Sequence, residues 1–269
     1  MFPTLPPAKG EATMISGMQL ISQPKGVRTV NGVQFQIIGS DAQTVEVNLM
    51  PQQIMRCEPG AMVHLHDGLT PKIGTDGGCR QACIRCCCVG ESFFRLTYEN
   101  TTSLPTPMAI SASWPAKLLA FDLSTYRGLH IANGSFVGAV SSDVRFNLRM
   151  AKSVGAACCG GQGLLFNEMN GDGVAFLCGG GALIEKTLGP GEKLVLDTLS
   201  LLAWEPSVQM SVRTAGGCLM CCCGGEGFFL TEMTGPRKVW VQPMPLKKMR
   251  RAFASAGQSG QSGRSADMV

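Results

Sequence analysis

The chain has 269 residues, 16% of them charged, with 34 glycines, 13 cysteines and a formal net charge of +4. That length buries a substantial core, while the positive charge is too small, and too concentrated in Lys247 to Arg251, to indicate a nucleic-acid partner. Glycine at roughly twice its usual share disfavours long helices, and no apolar run approaches the ~20 residues that span a bilayer.

Residues 1–31 read as an N-terminal extension. Its opening, MFPTLPPAKGEATM, lacks the charged and apolar zones of a signal peptide. The same stretch is not arginine-rich and carries Glu11, which argues against a mitochondrial presequence. Adjacent cysteines further along resist pairing with one another, so a reduced intracellular compartment is expected. The location is then cytoplasmic or membrane-peripheral, with the mitochondrion as the alternative.

Val33 to Gly39 (VQFQIIG) and Thr44 to Met50 (TVEVNLM) alternate apolar and polar residues, the period of a half-buried strand. EPGAMVH (Glu58 to His64) follows. His64 and His66 stand at i, i+2 on one strand face beside the turn signal Asp67-Gly68. They form a candidate metal pair, although solvated histidines are the commoner outcome. GGCRQACIRCCCVG (Gly77 to Gly90) then runs into GESFFRLTYEN (Gly90 to Asn100). LLAFDL (Leu118 to Leu123), a solitary His130 and NGSFVGA (Asn133 to Ala139) come next. Cys158 and Cys159 precede GQGLLFNEMNG (Gly161 to Gly171). GVAFLCGGGALI (Gly173 to Ile184) is the most apolar stretch, broken by glycines. LGPGEKLVLD (Leu188 to Asp197) is a Pro-Gly turn feeding a strand, and LSLLAWE (Leu199 to Glu205) is a short apolar run. GGCLMCCCGG (Gly216 to Gly225) enters GEGFFLTEMTG (Gly225 to Gly235), and KVWVQP is a strand ended by proline. PLKKMRRAF (Pro245 to Phe253) is the clearest helical candidate. The Ser/Gly/Gln-rich residues 254–269 are expected to be disordered.

Some of these stretches repeat. Gly161 to Gly171 aligns with Gly225 to Gly235, and Gly90 to Asn100 is a more divergent third copy. Cys83, Cys86, Cys87 and Cys88 recur in step as Cys218, Cys221, Cys222 and Cys223. The chain therefore divides into three modules, 32–127, 128–189 and 190–253, in an all-β fold with few helices.

Together EPGAMV, GESFF, LGPGE, LLAW and GGEGFF…TGPRKVWVQ resemble the altered-inheritance-of-mitochondria protein 24 family over about Gly32 to Pro243. The resemblance implies a fold similar to the tryptophan RNA-binding attenuator protein, with three double-stranded β-sandwich modules in pseudo-threefold arrangement. It implies no enzymatic activity, and it points to mitochondrial inner-membrane organisation. RNA or tryptophan binding does not carry over with the fold. Where the family has glycine-rich apolar loops, this chain places cysteine.

Catalytic constellations are missing from the sequence. Glu91 and Glu226 recur, but Gln162 takes their place in the middle module, and the glycine clusters fit neither phosphate-binding fingerprint. No enzyme activity and no cofactor are expected. The cysteines admit three readings: apolar filler, two zinc half-sites from Cys83, Cys86, Cys218 and Cys221, or acylation of Cys86, Cys87, Cys88, Cys221, Cys222 and Cys223 beside Arg80 and Arg85. Equivalent loops would share one face, and stable anchoring takes two such signals. The expected function is a non-enzymatic scaffold at a membrane surface or membrane complex, with no nucleic-acid partner. A soluble ligand- or zinc-binding β protein is the alternative, and homo-oligomerisation stays open.

Overall fold

The computed structural model describes residues 16–21, 26–75, 78, 79, 83, 86, 92, 94–150, 165–214 and 229–259. The chain opens with β1 (Gln19–Leu20), β2 (Arg28–Val30), β3 (Val33–Ile38), β4 (Thr44–Leu49), β5 (Ile54–Cys57), β6 (Met62–Leu65), β7 (Leu69–Gly74), β8 (Arg95–Asn100), β9 (Thr106–Ser111) and β10 (Lys117–Asp122). Then come β11 (Leu129–Ile131), β12 (Phe136–Val140), β13 (Arg145–Met150), β14 (Leu165–Asn170), β15 (Val174–Gly179) and β16 (Ile184–Leu188). The chain closes with β17 (Lys193–Asp197), β18 (Leu201–Trp204), β19 (Gln209–Thr214), β20 (Phe229–Thr234), β21 (Arg237–Val241) and one α-helix, α1 (Leu246–Ser259).

The strands form four antiparallel sheets. β4 buries every second residue, as its alternating sequence demands. The five-stranded sheet β2-β3-β4-β9-β6 packs on the six-stranded sheet β10-β15-β12-β5-β8-β7 through Phe35, Val47, Met108 and Phe176. Phe35 meets Phe176 edge-on at 5.2 Å between ring centroids. The opposite face of the six-stranded sheet packs on the seven-stranded sheet β1-β16-β21-β18-β11-β14-β13 through Leu119, Phe121, Leu177, Leu202 and Trp240. A third cluster, with Trp204, Val239 and Met233, joins that sheet to β17-β20-β19.

This layering explains the apolar run from Gly173. β15 is buried on both faces, so Phe176 enters one core and Leu177 the next. A strand covered twice loses the polar/apolar alternation of one covered once.

One hairpin recurs three times. β7 pairs with β8 from Leu69↔Asn100 to Gly74↔Arg95, β13 with β14 from Arg145↔Asn170 to Met150↔Leu165, and β19 with β20 from Gln209↔Thr234 to Thr214↔Phe229. Each copy has two six-residue strands, and each ends at one of the cysteine-bearing segments.

The helix starts after the buried Pro245 and runs to Ser259, six residues into the segment expected to be disordered. Ala252, Ala254 and Ala256 sustain it, because alanine is the best helix former. Its entry is fixed at Gly180, whose amide carbonyl accepts from Met244 N at 3.2 Å. A Cβ on Gly180 would lie 1.9 Å from the Met244 carbonyl oxygen, so only glycine permits this approach.

Candidate functional site

The cysteines separate into two environments. Cys57 and Cys178 are buried, and burial pushes both thiols up to about 12. That chemistry is inert, since the thiolate is the reactive form. Cys79, Cys83 and Cys86 are exposed free thiols between β7 and β8. Cys87, Cys88, Cys158, Cys159, Cys218, Cys221, Cys222 and Cys223 lie outside the described residues, as do Arg80, Arg85, Glu91, Gln162 and Glu226. Among the described residues no cluster of three or more His, Cys, Asp or Glu side chains could hold a metal ion. His64 and His66 have ring centroids 6.1 Å apart, and His64 Nε2 lies 3.9 Å from Glu46 Oε1.

The strand ends that flank these segments gather around one feature, a cavity of about 210 Å³ roofed by the start of α1. Leu165 and Phe166, where β14 begins after the second segment, line it. Thr198 lines it too. Its neighbour Asp197 pairs with Leu230, one residue past the third segment's flanking Phe229, and Thr198 Oγ1 lies 2.8 Å from Thr231 Oγ1. An adjoining cavity of about 190 Å³ shares Trp114, Gly134, Cys178 and Leu246 with the first. It is bordered by Ser92 and Glu58, the latter paired with the buried Arg95 at the start of β8. All three hairpins thus bring the strand ends that adjoin these segments to the same side of the molecule as α1.

The walls of the larger cavity are aromatic. Trp114, Phe166 and Trp204 line it, and His130 stands behind them at 4.8 Å from Phe166 and 5.3 Å from Trp204 between centroids. Burial lowers the His130 pKa, with Glu168 opposing the shift and Arg149 adding to it. Its Nδ1 is buried without a partner, as is Asn133 Oδ1. Asn133 Nδ2 donates to the Leu165 carbonyl at 2.8 Å.

The helix above is amphipathic. Leu246, Met249 and Phe253 fall on one stripe at i, i+3 and i+7. The start of that stripe rests on the body, and its end leaves Phe253 70% exposed. Lys247, Lys248, Arg250 and Arg251 flank it. Lys248 pairs with Asp197 Oδ2 at 2.6 Å. Burial, with Arg251 nearby, lowers the Lys247 pKa. Met244, 48% exposed, adds apolar surface at the helix entry.

The basic-apolar helix was legible in the sequence. The cavity was not, because Trp114, Asn133, Trp204 and Leu246 come from distant parts of the chain. The runs NGSFVGA and LSLLAWE, which supply Asn133 and Trp204, were visible only as short apolar runs.

The family model described as mitochondrial biogenesis AIM24 matches residues 35–244. No curated protein matches the chain. Among solved structures, the crystal structure of a protein from Streptococcus pyogenes is similar at 18% sequence identity, covering 83% of this chain and 99% of that one with a TM-score of 0.65. At that identity the likeness is one of fold. No helix among the described residues is long and apolar enough to cross a membrane.

Proposed function

The chain belongs to the mitochondrial biogenesis AIM24 family, a membership that points to a role in mitochondrial biogenesis, and from it we propose a non-enzymatic β scaffold that docks peripherally on an anionic membrane surface. The docking side is the one bearing α1 and the ends of the three hairpins. The observation that carries this reading is the apolar stripe of α1, which ends in a largely exposed Phe253 flanked by basic side chains.

Elementary energetics support it. A basic amphipathic helix lies in the interface with its apolar face in the acyl boundary, and each basic residue near an anionic leaflet contributes about 1 kcal/mol. Such a helix alone binds reversibly. Thioester-linked acyl chains on Cys86, Cys87, Cys88, Cys221, Cys222 and Cys223 would add the second signal that stable anchoring requires.

Flotation of the full chain with phosphatidylcholine vesicles, with and without phosphatidylglycerol, tests the docking. Flotation only with the anionic lipid, reduced by salt, is the expected result. A protein that stays at the bottom of the gradient with both vesicle types would refute the reading. Acyl exchange on protein from its own cells tests the second anchor, with hydroxylamine-sensitive thioesters expected in both cysteine clusters.

A further inference from the structure

Two sheet junctions in this chain are built alike. In β12 the pairing with β15 slips between Phe136 and Gly138, and in β18 the pairing with β21 slips between Leu201 and Ala203. The other side of each strand is closed by an antiparallel strand from earlier in the chain. Gly138↔Cys57 and Ala139↔Arg56 join β12 to β5, and Ala203↔Ile131 and Trp204↔His130 join β18 to β11.

β6 is the third strand of this kind. Its pairing with β9 slips at the same place, between Met62 and His64. Cys57 stands five residues before Met62, and Ile131 five before Phe136; five before Leu201 is Leu196, in β17. By that spacing β17 is the strand that completes β6, with Leu196 opposite His64 and Val195 opposite Leu65. Instead, β6 and β17 each end a sheet. The start of α1 stands beside both, since Leu246 lines the larger cavity with Thr198, just after β17, and the smaller with Ala61, just before β6. Within one chain the third junction is open.

The opening shows in burial. Phe136, Val137, Leu201 and Leu202 are buried at the closed junctions, whereas their counterparts Met62 and Val63 are 41% and 52% exposed. Met55, Cys57, Leu129 and Ile131 are buried, whereas Leu194 and Leu196 are only half-buried. An edge strand with apolar side chains is a template for pairing with another chain. The two closed junctions identify the strand that matches it. The same register sets the exposed Asp67 opposite the exposed Lys193, a favourable cross-strand pair. We infer that two copies of this chain pair through the open junction, β6 of each adding antiparallel to β17 of the other. A two-fold arrangement satisfies both edges of both copies, so assembly stops at a dimer.

Sedimentation velocity of the full chain tests this, in vesicle-free buffer with a reductant that keeps the exposed thiols from linking copies. A concentration-dependent shift from monomer to dimer is expected. Val63→Lys, at an exposed position, should leave the melting temperature unchanged and weaken the dimer about tenfold, because a charge on an edge strand blocks pairing. Leu65→Lys and Val195→Glu should each weaken it likewise. The double variant, which sets opposite charges across the junction, should regain the dimer. A parent that stays monomeric at every concentration, a dimer that survives Val63→Lys, or a double variant that stays monomeric would overturn the inference. Since no vesicle takes part, failure of membrane docking leaves this outcome unaffected.

Discussion

Lys248 Nζ lies 2.6 Å from Asp197 Oδ2 and 3.2 Å from Ser200 Oγ, tying the third residue of α1 to the turn between β17 and β18. Asp197 in turn caps that turn by accepting from Leu199 N at 3.2 Å. One carboxylate thereby fixes both the roof and part of the wall of the cavity.

Lys248→Ala should therefore loosen the helix more than it destabilises the protein. Lys248 is 40% exposed in this pair, so solvent screening limits the loss to about 0.5–1 kcal/mol. A fall of a few degrees in Tm is expected, at about 2–4 °C per kcal/mol for a chain of this size. Hydrogen exchange should show α1 amides opening faster, with β15 unchanged.

Phe253→Ser should leave the melting temperature within a degree of the parent, because the ring is 70% exposed. Vesicle binding should drop at least tenfold, since burying a phenylalanine contributes ~1.5–3 kcal/mol. Arg251→Gln should produce a milder loss, most evident at low salt. Equal flotation of Phe253→Ser and parent would remove the helix from the docking surface.

Gly180→Ala should destabilise the protein by about 1–3 kcal/mol, as forced overpacking does. Its methyl would meet the Met244 carbonyl oxygen and the Trp114 ring. The change in Trp114 surroundings should be visible in near-ultraviolet circular dichroism.

His130 gives a prediction in pH. Burial holds its folded-state pKa below the ordinary value near 6.5. The unfolded chain thus binds a proton that the folded chain refuses, so stability present above pH 6.5 is lost as pH falls below it. Urea midpoints should decline from pH 7.5 to 5.5. His130→Phe keeps the contacts with Phe166 and Trp204, removes the unpartnered Nδ1 and should flatten that slope. An unchanged slope would assign the decline to another group.

Thiol labelling separates the two cysteine environments. Cys57 and Cys178, each with a thiol pKa pushed up to about 12, should escape iodoacetamide at pH 8 until the protein unfolds. Cys79, Cys83 and Cys86 are exposed and should react in the native state, as mass spectrometry of the labelled peptides would show.

The strands were readable where one face is buried. TVEVNLM became β4 with its valines and Leu49 inward, and the three glycine markers became β8, β14 and β20. β15 was readable only as an apolar run, because burial on both faces erases the period that identifies a strand. The helix was underestimated at its C-terminal end, where the glycine, serine and glutamine around Ala254 and Ala256 resemble a linker. Of the cysteines in the two clusters, Cys83 and Cys86 are among the described residues, and both are exposed. The aromatic cavity had no local signature: Trp114, Asn133, Phe166 and Trp204 become neighbours only when β10, β12, β14 and β18 are in place.

Convergence of three hairpin ends beside one helix has a kinetic corollary. When one of these elements engages a surface, the others are held at high effective concentration above the same surface. Contacts too weak to last singly then combine multiplicatively, and residence time grows far more steeply than the number of contacts. A modification added to or removed from one segment would accordingly alter the dissociation rate of the whole molecule, with the fold unchanged.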